Sequence, residues 1–171
     1  MMAGICDMFD GTVAATKERA ADERRFGIQI DSLSDLVSFG VLPAIFVFMI
    51  SGQNPVVGFF AALFTLCALI RLAYFNVLEE ARQNQTTGHR KSYLGVPVTT
   101  IAVLLPAVYL LYDYRVFKNT LCFPALLILM GVGFLAPIKI KKPGAAGKIG
   151  ILFIGMLEAV GMFLFLGWGA V

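Results

Sequence analysis

The sequence predicts an all-α, polytopic membrane helix bundle with five full spans and the end of a preceding helix. Of its 171 residues, 58% are hydrophobic and only 15% are charged, whereas soluble domains are about 25% charged. The mean hydropathy is +0.81, and the apolar residues gather in stretches of about 20, the length that crosses a bilayer as a helix. This composition argues against a disordered chain, a nucleic-acid-binding protein and a secreted scaffold. The three cysteines lie far apart, without disulfide or thiolate-metal spacing.

The predicted spans follow the apolar stretches in chain order. They cover residues 28–50, 56–78, 95–112, 120–138 and 149–169. A helix is the open-chain structure that satisfies its own backbone in lipid, and lipid-embedded helices tolerate internal glycine and proline. Residues 1–15 are predicted to end a further helix, so residues 1–171 form one domain that lacks its N-terminal helix and part of the next. The apolar start has no basic region and runs into Asp7, which does not fit a signal peptide.

The charges of the connecting loops predict the orientation of the bundle. The loops on one side hold eleven Lys and Arg residues, and those on the other side hold two. The richer side is expected to face the cytoplasm, and Asp7, Asp10, Asp31 and Asp35 lie on that side. We therefore expect a multi-pass protein of a bacterial cell membrane, with its active site facing the cytoplasm.

These four aspartates form the most informative pattern in the chain. Asp7 and Asp10 are three residues apart and Asp31 and Asp35 are four apart, so each pair shares one helix face. The short polar loop between the pairs makes their helices antiparallel neighbours. Carboxylates at a membrane interface predict a functional site, and four of them together would repel unless cations neutralise them. Two divalent ions would do so, and all-oxygen ligands favour Mg²⁺ or Mn²⁺.

Small residues accompany the aspartates. Gly11, Ala14 and Gly27 remove bulk where two helices, or a helix and a flat ligand, approach closely. An alternative remains open for each residue alone, in which the aspartates cap helix ends and the glycines only pack helices.

The pattern resembles the signature of the CDP-alcohol phosphotransferases. The segments DMFDGTVA at residues 7–14 and GIQIDSLSD at residues 27–35 match it at four aspartates, two glycines and one alanine. Ala15 stands where the family has arginine, and the spacer is eleven residues long. That long spacer, with RLAYFN at residues 71–76 and YLGVPVTT at residues 93–100, is similar to the phosphatidylserine synthase branch.

The resemblance implies a phospholipid-synthesising enzyme that transfers a phosphatidyl group from CDP-diacylglycerol to L-serine and releases CMP. It implies a two-metal site held by Asp7, Asp10, Asp31 and Asp35. Asp35 would also be the catalytic base for the serine hydroxyl. The implied cytidine pocket is lined by Gly11, Ala14 and Gly27.

Further basic and polar residues are candidates for substrate binding. Arg71 lies about two turns inside a predicted span, and it is expected to bind the serine carboxylate or a donor phosphate, because guanidinium binds both bidentately. Snorkelling to the interface and pairing with an aspartate are the alternatives. Asn76, Arg90 and Lys91 are weaker candidates, the last two because cytoplasmic loops are basic anyway.

Other functions stay open at this point. The acceptor alcohol could instead be glycerol 3-phosphate, inositol phosphate or choline, and Ala15 together with the short N-terminus also fits an inactive member. A divalent-cation transporter would need carboxylates near the bilayer midplane. The expected partners are membrane lipids and a second copy of the chain, with the step from Gly155 to Ala159 as a dimerisation surface, and no nucleic acid.

Overall fold

The computed structural model describes residues 21–83, 92–116, 119–141, 150 and 153–162. These residues form six α-helices, a π segment, a 3₁₀ turn and two short strands. In chain order they are α1 (Ala21–Asp35), a π-helical segment (Leu36–Val41), α2 (Leu42–Ile50), α3 (Pro55–Gln83), β1 (Ser92–Leu94), a 3₁₀ turn (Val98–Thr100), α4 (Ile101–Asp113), α5 (Cys122–Leu135), β2 (Lys139–Lys141) and α6 (Phe153–Met162).

Two helical stretches of the described chain are long and apolar enough to cross a bilayer. They are Arg25–Ile50, which runs through α1, the π segment and α2, and Pro55–Leu78 in α3. Only 28% of the most apolar window of each is buried, so most of these apolar side chains face outward, as lipid permits and water does not. Val98–Asp113, Cys122–Leu135 and Phe153–Met162 are shorter apolar helices. The predicted apolar helix bundle is confirmed at this level, and the count of five spans stays a prediction.

The first two long helices form an antiparallel hairpin. Its turn places Gly52 and Gln53 at φ of +70° and +58°, a conformation that glycine adopts freely. Asn54 Oδ1 accepts a hydrogen bond from Val56 N at 2.9 Å, which caps the first turn of α3. A Cβ on Gly58 would lie 3.1 Å from the Phe48 ring, so the glycine lets α2 and α3 approach closely.

The helices α3 and α5 form the centre of the core. A Cβ on Gly131 would lie 3.6 Å from Cys67 Sγ, so the two helices meet in ordinary van der Waals contact at this glycine. On the same interface the rings of Phe64 and Phe134 have centroids 5.5 Å apart, and Leu127 is fully buried.

An aromatic cluster joins α2, α4 and α5 at the end of the bundle that holds the hairpin turn. Phe46 meets the edge of Tyr109 at 5.8 Å and of Phe123 at 6.3 Å, and Tyr112 meets Phe123 at 5.3 Å between centroids. Such edge-to-face pairs stabilise by roughly 0.5–1.5 kcal/mol each beyond their buried area. These rings hold α2, α4 and α5 together at this end of the bundle.

A short ribbon accompanies the helices, and the all-α class holds because its two strands have only three residues each. Strands β1 and β2 pair antiparallel, with Tyr93 opposite Ile140. The two strands belong to loops that the charge pattern assigns to the same side, and their pairing agrees with that assignment. The span predicted from residue 95 begins too early, because Gly95 has a φ of +78° and Pro97 holds Val96 out of the helical region.

We expect Gly40→Val to destabilise the bundle. A Cβ at Gly40 would lie 3.1 Å from Leu36 Cδ1 and 3.3 Å from Ala68 Cβ, and overpacking of this kind costs about 1–3 kcal/mol. Thermal unfolding in detergent should show a lower Tm. Gly150→Val is the matched control, because a Cβ there meets nothing within 4 Å and Gly150 lies outside the predicted dimerisation step. An equal loss of Tm in both variants would contradict the close contact at Gly40.

Candidate functional site

Helix α1 presents two of the predicted metal ligands at its C-terminal end. Asp31 is exposed and Asp35 is half-buried, and the two stand one helical turn apart. Gly27, one turn before Asp31, is half-buried on the same helix. The described chain therefore brings together one aspartate pair and one glycine of the predicted motif.

The π segment begins directly after Asp35. Its hydrogen-bond pattern is that of a π-helix, because Leu42 N donates to Val37 O, five residues earlier. The next residue, Pro43, has no N–H for the carbonyl four residues before it. One extra residue in a turn rotates the helix before the segment by about 100° relative to the helix after it, and π segments are frequent at functional sites.

Two contacts fix the register between this first long helix and α3. Asn76 Nδ2 donates a hydrogen bond to Ser32 Oγ at 2.8 Å, and Gly40 packs against Ala68. Asn76, predicted as a substrate ligand, thus holds the motif helix in place through the serine beside Asp31.

This register places Arg71 close to Asp35 along the bundle axis. Arg71 lies five residues before Asn76, so it is level with Val37, within one helical turn of Asp35. Its side chain is only 6% exposed, which excludes snorkelling to an aqueous interface. The role of Arg71 in substrate binding stays a prediction.

The guanidinium of Arg71 binds the loop that precedes α4. Its Nε donates to Val96 O and its Nη2 to Gly95 O, each at 3.4 Å. The 3₁₀ turn after this loop contacts the π segment. The buried cation, the loop and the element next to Asp35 therefore form one continuous set of contacts.

Several predicted site residues lie outside the described residues. They are Asp7, Asp10, Gly11, Ala14, Arg90 and Lys91. Within the described ranges no group of three His, Cys, Asp or Glu side chains is placed to hold a metal ion. The four-carboxylate cluster stays a prediction, with Asp31 and Asp35 supplying two hard oxygen donors of the kind Mg²⁺ and Mn²⁺ prefer.

The sequence reasoning missed two residues at this end of the bundle. Gly95 was part of a family-like stretch, and its position two residues before Pro97 is a turn signal that could have found it. Ser32 gave no signal except its place beside Asp31, because a serine on a helix is usually solvated.

An apolar groove of about 320 Å³ lies between α2 and α3, away from the carboxylates. Ala44, Phe48, Gly58 and Ala61 are among its lining residues. Thr65 is the one polar residue among those that line the groove, and its hydroxyl donates to Ala61 O at 3.1 Å, so the lining is predominantly apolar.

Helix α6 carries a buried acidic residue. Glu158 is 7% exposed, and its Oε2 has no hydrogen-bond partner among the described residues. The helix packs against α4, since a Cβ on Gly161 would lie 3.7 Å from Leu110 Cδ1. Gly155 has open space around it, and dimerisation through Gly155 and Ala159 stays a prediction.

Comparison with known proteins agrees with the motif. The profile of the CDP-alcohol phosphatidyltransferase family matches residues 1–137. The chain is 38% identical over 122 residues to the CDP-diacylglycerol–serine O-phosphatidyltransferase of Saccharomyces cerevisiae, covering 70% of this chain and 43% of that protein. It is 35% identical over 134 residues to the archaetidylserine synthase of Methanothermobacter thermautotrophicus, covering 76% and 52%.

A third relative is covered over more of its length. The CDP-diacylglycerol–serine O-phosphatidyltransferase of Helicobacter pylori is 31% identical over 176 aligned positions, which cover 94% of this chain and 70% of that protein. The chain spans about half the length of the yeast and archaeal relatives. By the family match and these identities, the chain belongs to the CDP-alcohol phosphatidyltransferase family.

Proposed function

We propose that this protein transfers the phosphatidyl group of CDP-diacylglycerol to L-serine, giving phosphatidylserine and CMP. The family match supports the CDP-linked donor. All three relatives have serine in their names, although one of them names a different lipid from the other two, which supports serine as the acceptor. The observation that carries the proposal is a pair of carboxylates on one helix face, Asp31 and Asp35, of which Asp35 lies within one turn of the buried cation Arg71 along the axis.

The proposed reaction is an in-line displacement at the phosphorus that carries the diacylglycerol. The serine hydroxyl oxygen forms the new P–O bond while the bond from that phosphorus to the bridging diphosphate oxygen breaks, and CMP leaves. The hydroxyl proton goes to the Asp35 carboxylate. A base within hydrogen-bond reach of the proton typically contributes 10²–10⁴-fold, and the half-buried position of Asp35 supports this role.

We propose Asp7, Asp10 and Asp31 as ligands of a divalent metal pair, with Asp35 at its edge. The family generally uses divalent metal ions, and an all-carboxylate donor set suits Mg²⁺ or Mn²⁺. Bound there, the ions would supply charge neutralisation on the diphosphate. Gly11, Ala14 and Gly27 are proposed to leave room for the cytidine.

The proposed acceptor site is on the other side of Asp35. Arg71 has five N–H donors, and two of them bind loop carbonyls, which holds the guanidinium in one orientation. We propose that it pairs with the serine carboxylate, and that Arg90 and Lys91 draw anionic substrate to the cytoplasmic face. Asn76 acts indirectly, through Ser32. The enzyme would work as a membrane-embedded homodimer.

The acceptor is tested directly with the purified protein. With CDP-diacylglycerol and Mg²⁺ or Mn²⁺, we expect L-serine to release CMP and form phosphatidylserine. Glycerol 3-phosphate, inositol phosphate and choline should react at least about tenfold more slowly, since each lacks the amino-acid carboxylate and one unmatched polar contact costs about 1.4 kcal/mol or more. Faster transfer to any of these three would reassign the acceptor. Binding of Mg²⁺ without any shift of Tm by CMP would favour a cation transporter.

Substitution of the two described aspartates should separate metal binding from proton transfer. Asp31→Asn removes a metal ligand, so we expect transfer to fall by at least about 100-fold, the scale of losing one contact to developing charge. Asp35→Asn should lower kcat by about 10²–10⁴-fold and leave the apparent KM for CDP-diacylglycerol within about twofold. Rates of CMP release against each substrate measure both effects.

Asp22→Asn is the matched control for these variants, because Asp22 is exposed in the first turn of the same helix. It should keep the wild-type rate. Near-normal transfer by Asp31→Asn would refute its metal role, and a raised donor KM with unchanged kcat in Asp35→Asn would make that residue a binding ligand only.

Arg71→Ala should weaken the binding of serine more than the binding of CDP-diacylglycerol. A charge-assisted pair contributes roughly 1.5–3 kcal/mol, so we expect the apparent serine KM to rise about tenfold to a hundredfold. Arg71→Lys should recover only part of this, because lysine keeps the charge but loses the bidentate fork. Steady-state kinetics with each substrate varied give the answer. A raised KM for CDP-diacylglycerol with an unchanged serine KM would show that Arg71 binds a donor phosphate and not serine.

A further inference from the structure

The residue opposite the Arg71 guanidinium has no side chain. Gly95 adopts a φ of +78°. A Cβ built there would lie 3.0 Å from Phe134 O, 3.1 Å from Ala136 O and 3.4 Å from Arg71 Cζ. One small volume is thus enclosed by the end of α5 on one side and the guanidinium on the other, and only glycine fits the backbone between them.

The backbone of Gly95 and Val96 forms hydrogen bonds both with the end of α5 and with Arg71. Its N–H donates to Ile138 O at 2.6 Å, and Val96 N donates to Gly133 O at 3.2 Å. The carbonyls of the same two residues accept from Arg71. The segment therefore uses its donors to hold the end of α5 and its acceptors to hold the guanidinium, so a displacement relative to α5 moves both acceptors of Arg71.

The charges agree with this geometry. The carbonyl oxygens at a helix C-terminus carry about half a negative charge between them and stabilise a nearby cation. The oxygens of Phe134 and Ala136, at the end of α5, border the same volume as Arg71 Cζ. These oxygens help to offset the charge of the buried guanidinium and favour the orientation that it adopts.

We infer that Gly95 is a positioning residue for acceptor recognition: it lets the loop fit between α5 and Arg71, and so fixes the plane in which Arg71 meets a carboxylate. The inference rests on the proposed serine transfer and deepens it. Bidentate pairing tolerates only about 0.5 Å and 10–20° of error. A methyl group at Gly95 cannot stay 3.0 Å from a carbonyl oxygen, so the loop and its two acceptors must shift by a few tenths of an ångström.

The test compares two alanine substitutions that carry the same backbone strain. Gly95→Ala should raise the apparent serine KM about tenfold, and should leave kcat and the CDP-diacylglycerol KM within about twofold. Gly52→Ala is the control, because Gly52 has a φ of +70° and nothing within 4 Å of its Cβ position. It should change none of the three constants. Adding Arg71→Lys to Gly95→Ala should raise the serine KM by less than it does in the wild type, since the fork is already misplaced.

Three results would overturn the inference. The first is an unchanged serine KM in Gly95→Ala with a lower Tm, which would make the glycine structural only. The second is an equal effect in Gly52→Ala, and the third is full additivity with Arg71→Lys.

If the wild-type protein does not use serine, the proposed function fails, and the contact itself is still tested by unfolding. Changes in Tm for Gly95→Ala and Arg71→Gln should then be less than additive in the double variant, because both substitutions disturb one contact. Additive changes in Tm would also refute the contact between Gly95 and Arg71.

Discussion

Close packing along one face of α3 is the constraint on which the other contacts depend. In lipid, helices gain little by burying apolar surface, so they associate through van der Waals contact at small residues. On α3 those contacts are Cys67 against Gly131 of α5 and Ala68 against Gly40 of the π segment. One face of one helix thus sets the position of both neighbours. Arg71 comes a turn later on that face, where α5 ends and the π segment begins.

The burial of Arg71 explains why the chain is not helical just before α4. An uncompensated ion in a protein interior costs several kcal/mol, and carbonyl oxygens that are not used in a helix are needed to offset it. Gly95 and Val96 supply two such oxygens. Pro97 keeps the segment extended, and helix formation resumes only at the 3₁₀ turn from Val98. The short ribbon of β1 and β2 holds the same segment against the end of α5.

The sequence was sufficient for the features that depend on composition and on short spacing. Apolar stretches predicted the helices, and four-residue spacing predicted that Asp31 and Asp35 share a face. The distance of Arg71 from the loop that follows it predicted that this residue lies within a helix. The pairing of β1 with β2 joins residues more than forty positions apart, and no local pattern encodes it. The contacts of Gly95 and Ser32 depend in the same way on which helices become neighbours. Local propensity does not distinguish a π turn from an α turn at Leu36–Val41, so the π segment could not be predicted.

The π segment has a physical reason in the two contacts that bind the first long helix to α3. Ser32 and Gly40 both touch α3, yet residues eight apart in a regular α-helix differ by about 80° around the axis. A π turn contains one extra residue, which reduces the angle between the two residues by about 100°. Ser32 and Gly40 then lie within about 20° of each other around the helix axis. Asp35 and Asp31 lie about 60° and 100° from Ser32 in the same direction around the axis, so the two carboxylates share one face, with Asp35 half-buried and Asp31 exposed. Both aspartates precede the π segment, so the extra residue sets the direction of their shared face relative to the helix that follows it.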